Sequence, residues 1–335
     1  MVLPKLSASA LGGDQTFPWP LSPQNQWHEI TGVAGEARGA PGVALDHLHS
    51  GLDIHGSAAE AALSVYDEKV SSPLPNWNFD GAGEGIHVGL FGYIHIRVGR
   101  NARDEIQDAN KFKPTYDRSG KLTGVRVRRG TRFRAGDSVG SLNRLNHVHL
   151  NFGPRNAEAN PLALSFLAFK DTVGPTVERI EIVAANNSIF KEQRGRLVVS
   201  GDVAIVVTAY DRVDGNIPNR KLGLYRIGYQ LLEANGSPVK GFERPLINIE
   251  FDRLPPEDAS VLKAYAPGSG VSAYGTPTKF SYIVTNRVRD AEAREGLLRT
   301  SALAPGDYII RVIAEDHAGN RASGSSTELA ITITN

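Results

Sequence analysis

The chain has 335 residues, 41% of them hydrophobic and 22% charged, which fits two domains or one large β domain and excludes a disordered or fibrous chain. Lysine and arginine number 37 against 36 acids, so net charge directs the protein to neither nucleic acid nor a membrane surface. Cysteine is absent, which removes disulfides, zinc ribbons, iron–sulfur clusters and thiol nucleophiles together.

Any metal site must therefore be built from His, Asp or Glu. No apolar run approaches the roughly 18 residues of a spanning helix, so no integral membrane segment is expected. Residues 1–13 lack a basic stretch followed by an apolar core, and a native export leader is expected to be absent from this sequence.

Glycine (35) and proline (19) punctuate the chain, and the segments between them alternate at period two. Tyr93-Ile94-His95-Ile96-Arg97-Val98 reads as one strand, with Ile94 and Ile96 buried behind Tyr93 and His95. Val125-Arg126-Val127, residues 203–207 and residues 308–313 read the same way. Short helices are expected at 57–63 and 160–169. The fold class is all-β for the most part.

Gly174-Pro175 marks a boundary within 170–177, giving domains at 17–170 and 176–335. The second carries eight or nine strand candidates and one histidine, His317, a pattern that reads as an immunoglobulin-like β-sandwich. It contains no catalytic cluster, so a binding, spacer or docking role is the default. Ala209-Tyr210-Asp211 leading to Gly215-Asn216 is echoed by Ala314-Glu315-Asp316 leading to Gly319-Asn320. Calcium binding by Asp211, Asp214 or Asp316 is conceivable, but turn capping by these residues is the stronger reading. Between Arg97 and Arg134 stand 12 basic and 4 acidic residues. A solvated insertion is favoured there over a patch for an anionic polymer.

Eight of the nine histidines precede residue 150. In an extended segment His49 and Asp53 share a face, with Leu52 and Ile54 on the other. His147 and His149 share a face of a second strand, with Val148 behind. Two imidazoles and a carboxylate suit a catalytic zinc, which takes three protein ligands and keeps a fourth position for water. One histidine of the His147-Val148-His149 pair can bind metal while the other hydrogen-bonds the nucleophile or the developing oxyanion. His47 and His55 flank the first motif. Trp19, Trp27 and Trp77 read as core or groove wall rather than as a carbohydrate platform.

Five motifs occur in order: Trp19-Pro20-Leu21 with Gly35-Glu36-Ala37-Arg38; His49-x-Gly51-x-Asp53; Tyr93-x-His95-Ile96; residues 127–140 with Gly130, Gly136 and Asp137; and His147-Val148-His149-Leu150. Together they resemble the lysostaphin-like (LytM-type) zinc endopeptidases that cut peptidoglycan cross-links, over roughly residues 17–165. The resemblance implies a two-layer β peptidase domain with the site in a groove. It further implies one Zn2+ per chain held by His49, Asp53 and His149, with His147 and His95 as the catalytic pair. The implied partner is peptidoglycan or another peptide substrate, and the implied location is extracytoplasmic, periplasmic or secreted.

Residues 141–146 are shorter and lack the family's glycines, Asn151 follows Leu150, and 100–122 is longer than the family's link. These departures bear on substrate preference rather than on metal binding. His87, on a neighbouring strand candidate, competes with His95. Residues 1–17 can lie across the groove, where Asp14 is the one candidate for a further ligand. The alternative is a non-catalytic cell-wall-binding or regulatory protein that retains the fold. A third reading is a glycan-binding protein dominated by its second half.

Overall fold

Val148 and Leu150 are buried while His147 and Asn151 share the opposite side with His149, so His147–Phe152 is a strand with one face committed to the core. The computed structural model describes residues 15–39, 45–155, 157–186, 188–271 and 277–334, so Asp14 lies outside the described residues. Strands dominate, and among the described residues α-helix is confined to Val261–Ala264. The all-β reading holds. The chain forms two compact units: one takes in the chain up to Val33, Ser50–Lys170 and Gly215–Ile217, the other Ala34–His49, Asp171–Asp214 and Pro218–Asn335.

The first unit is built on β1 (Ile30–Gly32), β2 (Leu52–His55), β3 (Asn76–Trp77), β4 (Gly85–Val88), β5 (Phe91–Ile94) and β6 (His147–Phe152). They form one antiparallel sheet in the order β1-β2-β6-β5-β4-β3. Leu52, Ile54, Tyr93, Val148 and Leu150 supply its buried face. A smaller sheet joins Ile96–Val98, Ser138–Leu142 and Ala61–Leu63.

The structure departs from three expectations. Residues 57–63 form no helix; Ala61–Leu63 pairs with Ser138–Leu142, and Ala62 is buried. A seven-residue segment is too short to nucleate a stable helix by itself, and strand pairing prevails. Residues 160–169 form only a 3-10 turn, Pro161–Ala163, capped by Asn160. Ser165–Phe166 then pairs with Thr16–Phe17, and Phe166 stacks on buried Trp19 at 4.7 Å. Finally, 93–98 is not one strand. It breaks at His95, whose φ of 65° is left-handed, and the chain passes from the large sheet to the small one. Tyr93 is therefore buried and Ile94 lies opposite His149 on the other face, whereas Ile96 is buried as expected.

Among the described residues the second unit holds two main sheets. Thr176–Ala184, Asp202–Tyr210 and Ser281–Ile283 form one, with Leu298–Arg299 paired to Asp202–Tyr210. The other has eight strands around a central trio, Arg226–Glu233, Gly306–Glu315 and Glu328–Ile333. Val203, Ile205 and Val207 of the first share one hydrophobic cluster with Ile227, Leu231, Ile310 and Val312 of the second. Several extra strands, such as Lys191–Gln193 and Leu298–Arg299, are too short to show a period in sequence.

Ala37 and Leu48 join the same cluster from the short pair Ala37–Arg38 and His47–Leu48. Just before it, Gly35 has a φ of 92° and a Cβ there would overlap the Phe251 ring, so only glycine fits. The Tyr265 hydroxyl donates to the Gly35 carbonyl at 2.8 Å. His49 closes this segment: its N–H donates to Glu36 O and its carbonyl accepts from Gly35 N–H, both at 2.8 Å.

The basic segment is structured. Phe112–Tyr116 and Leu122–Val127 form a hairpin, and several cations are occupied internally. Arg97 pairs with Asp104, and Lys111 Nζ lies 2.6 Å from Asp137 Oδ2. Arg100, 1% exposed, pairs with buried Glu84 and lies 4.2 Å over the Phe79 ring. Burial pushes the Glu84 carboxyl up, and Arg100 opposes that push. Removing the guanidinium strands a buried carboxylate, so Arg100→Leu is expected to cost about 3–5 kcal/mol in denaturant unfolding. An unchanged midpoint and slope would contradict this pairing.

Candidate metal centre

Strand register assembles the site. Across β2 and β6, Asp53 lies opposite His149 and His55 opposite His147, while His149 lies opposite Ile94 of β5. Partners in an antiparallel pair point to the same face. Asp53, His147 and His149 therefore emerge together from the sheet, away from Leu52, Val148 and Leu150. His49 precedes β2 through the bend at Ser50 and Gly51 rather than from the same strand. One ligand atom from each of His49, Asp53 and His149 lies within 4.8 Å of the others, and all three residues are buried.

Gly51 makes this approach feasible. A Cβ at that position would overlap His149 Nε2 and stand 2.5 Å from Asn151 Oδ1. The middle glycine of His49-x-Gly51-x-Asp53 is thus a packing requirement beneath the second histidine.

The hydrogen bonds of His149 decide which nitrogen is available. Its Nε2 lies 2.7 Å from Asn151 Oδ1, and with the Asn151 amide in this orientation Nε2 is the nitrogen that carries the proton. Nδ1 then bears the lone pair, yet it sits 3.0 Å from Asp53 Oδ1. Two acceptors at that distance call for a cation, either a proton or a metal ion. The separation is close to the roughly 3.4 Å kept by two ligands of one tetrahedral zinc. Two imidazoles and one carboxylate also suit zinc by donor type. The residues present fit the metal.

His147 and His95 stand beside this group. His147 Nδ1 donates to the Leu145 carbonyl at 2.8 Å, which leaves Nε2 as acceptor, 3.6 Å from Asp53 Oδ1. His95 Nδ1 donates to the Ala82 carbonyl at 2.8 Å, which again leaves Nε2 as acceptor. The His95 ring lies 4.7 Å from that of His147 and 5.8 Å from that of His149. Burial, reinforced by the two neighbouring histidines, pushes the His95 pKa down to about 4, so the ring is neutral at pH 7. The left-handed backbone at His95 is a conformation that non-glycine residues hold at a cost, and such positions concentrate at functional sites.

All five residues singled out in sequence are thereby brought together. His87 is placed elsewhere: it hydrogen-bonds the Gly153 carbonyl at 3.2 Å and lines a separate surface pocket with Leu90 and Arg155. His47 pairs with Asp46 at 3.0 Å, and His55 is exposed. Trp19 is buried core, and Trp77 lies beneath the Arg155 guanidinium at 4.8 Å. Asn151 departs from the sequence pattern that the other motifs follow, and its period-two spacing from His149 places it on the ligand face.

No family model matches the chain, and no curated protein matches it.

Asn151→Ala removes the acceptor that fixes the His149 tautomer and is expected to weaken zinc binding about 10–100-fold. Gly51→Ala, which displaces the ring, should weaken it too. Competition titration against a chromophoric chelator measures both. Wild-type affinity in both variants would dissociate these contacts from metal binding.

Proposed function

We propose that the protein is a zinc-dependent endopeptidase of the LytM type that hydrolyses peptide bonds, with peptidoglycan cross-links as the substrate class. The observation that carries the reading is the convergence of His49, Asp53 and His149 with two further histidines beside them. His49, Asp53 and His149 would hold the ion. A zinc ion bound there would act as a Lewis acid, polarising a carbonyl and lowering the pKa of a water toward about 7.

The chain's own residues do the rest. Asn151 holds the His149 ring with Nδ1 toward Asp53. Leu145 holds His147 with Nε2 as the acceptor, the form needed to take a proton from attacking water. Once protonated, that same Nε2–H donates to the developing oxyanion or to the departing amine. His95, neutral and fixed by Ala82, orients the water through its own Nε2 acceptor.

In this reading the second unit is an immunoglobulin-like sandwich with a docking or spacing role, supported by its two sheets sharing one core. An extracytoplasmic location follows from the substrate class.

The test is release of new amino termini from purified peptidoglycan and cross-link peptides. Chelator should abolish it and zinc restore it. His147→Ala should lose about 100- to 10,000-fold in rate while keeping its metal. Undiminished cleavage by metal-free protein or by His147→Ala would overturn the proposal. So would wall binding that survives Asp53→Ala with no cleavage by the wild type, which is the behaviour of a regulator.

A further inference from the structure

A second group of acids lies wholly within the second unit. Asp211 follows the strand Asp202–Tyr210, Asp316 follows Gly306–Glu315, and Asp171 precedes Thr176–Ala184. Thr176 pairs with Tyr210, which brings the first and third to one end of the sheet. One carboxylate oxygen from each of Asp171, Asp211 and Asp316 lies within 4.8 Å of the others. None of the three forms an ion pair among the described residues.

Turn capping accounts for part of this cluster. Asp316 Oδ1 accepts from Asn320 N–H at 2.8 Å, and its Oδ2 accepts from Asn320 Nδ2 at 2.7 Å. Asp171 Oδ1 accepts from Val173 N–H at 3.1 Å. Asp214, beside them, accepts from the backbone and hydroxyl of Thr172. Capping accounts for Asp211 only in part, through a hydrogen bond from the Arg212 backbone to its carboxylate. Its residue is 5% exposed, and its Oδ1 is buried with no hydrogen-bond partner among the described residues. A buried carboxylate oxygen left unmatched beside two other carboxylates is costly unless a cation or a proton joins it.

We propose that Asp171, Asp211 and Asp316 form a binding site for a hard divalent cation, calcium in the first place. The donors are all oxygens, which excludes the soft-metal preference of thiolate or imidazole sets. Calcium accepts such donors in flexible geometry, whereas magnesium demands a near-octahedral shell and keeps several waters. The capped oxygens of Asp316 and Asp171 remain competent, because each carboxylate oxygen has a second lone pair. Without the ion, burial and the neighbouring acids push Asp211 up to about 9 and Asp171 to about 6.

The site is separate from the His49, Asp53 and His149 group, and its test keeps them apart. Full-length Asp53→Ala protein, disabled at the first centre, is titrated with CaCl2 by calorimetry and thermal unfolding, with MgCl2 at equal ionic strength as the comparison. Calcium at about 10 mM should raise the unfolding midpoint by about 3 °C or more. Adding Asp211→Asn should remove that shift while leaving the calcium-free protein folded, since Asn is isosteric with the protonated acid. Asp171→Asn, at a half-buried position, is the second variant should Asp211→Asn fail to fold. No calcium heat and no midpoint shift in the parent would overturn the proposal. Equal shifts with both salts, retained in Asp211→Asn or Asp171→Asn, would reduce it to ionic screening and overturn it as well.

Discussion

The candidate centre depends on one side chain held from both ends. His149 gives its Nε2 proton to Asn151 and turns Nδ1 to the Asp53 carboxylate at 3.0 Å. That arrangement sets the Nδ1 lone pair against a carboxylate oxygen in a buried setting, where a proton or a metal ion between the two is favoured. The sheet imposes it, because Asp53 and His149 are direct cross-strand partners and Asn151 is two residues further along the same face. Gly51 clears the space in which the ring lies. The strand register thus builds in a demand for positive charge.

His147 and His95 reach the same face by different means. His147 gets there by alternation alone. His95 gets there because the chain leaves the large sheet at a left-handed residue and enters the small one. Both rings donate Nδ1–H to a backbone carbonyl, which leaves the two Nε2 atoms as acceptors. Two imidazoles fixed in this way beside the Asp53–His149 pair are the arrangement on which the proposed water activation rests.

Much of this was legible in the sequence, for reasons that can be named. Period-two alternation identified the strands at 147–152 and 203–207, and it placed Val148 behind the two histidines. It misled at 93–98, where Tyr93 rather than Ile94 is buried, because a single left-handed residue inverts the parity and leaves no mark in hydrophobic pattern. The short runs at 57–63 and 160–169 have helical composition, yet pairing with distant strands decides their structure, and such pairing is invisible to local reading. Asn151 is legible by its position two residues beyond His149 on the same strand. The Asp171 carboxylate was out of reach, since its proximity to Asp211 and Asp316 is set by strands far apart in sequence.

The most direct measurement is elemental analysis of protein purified without added metal, compared with Asp53→Ala and His149→Ala. One zinc per chain in the wild type, lost in both folded variants, is the expected result. No zinc in the wild type, even after zinc is supplied, would contradict it: the positive charge between Asp53 and His149 would then be a proton.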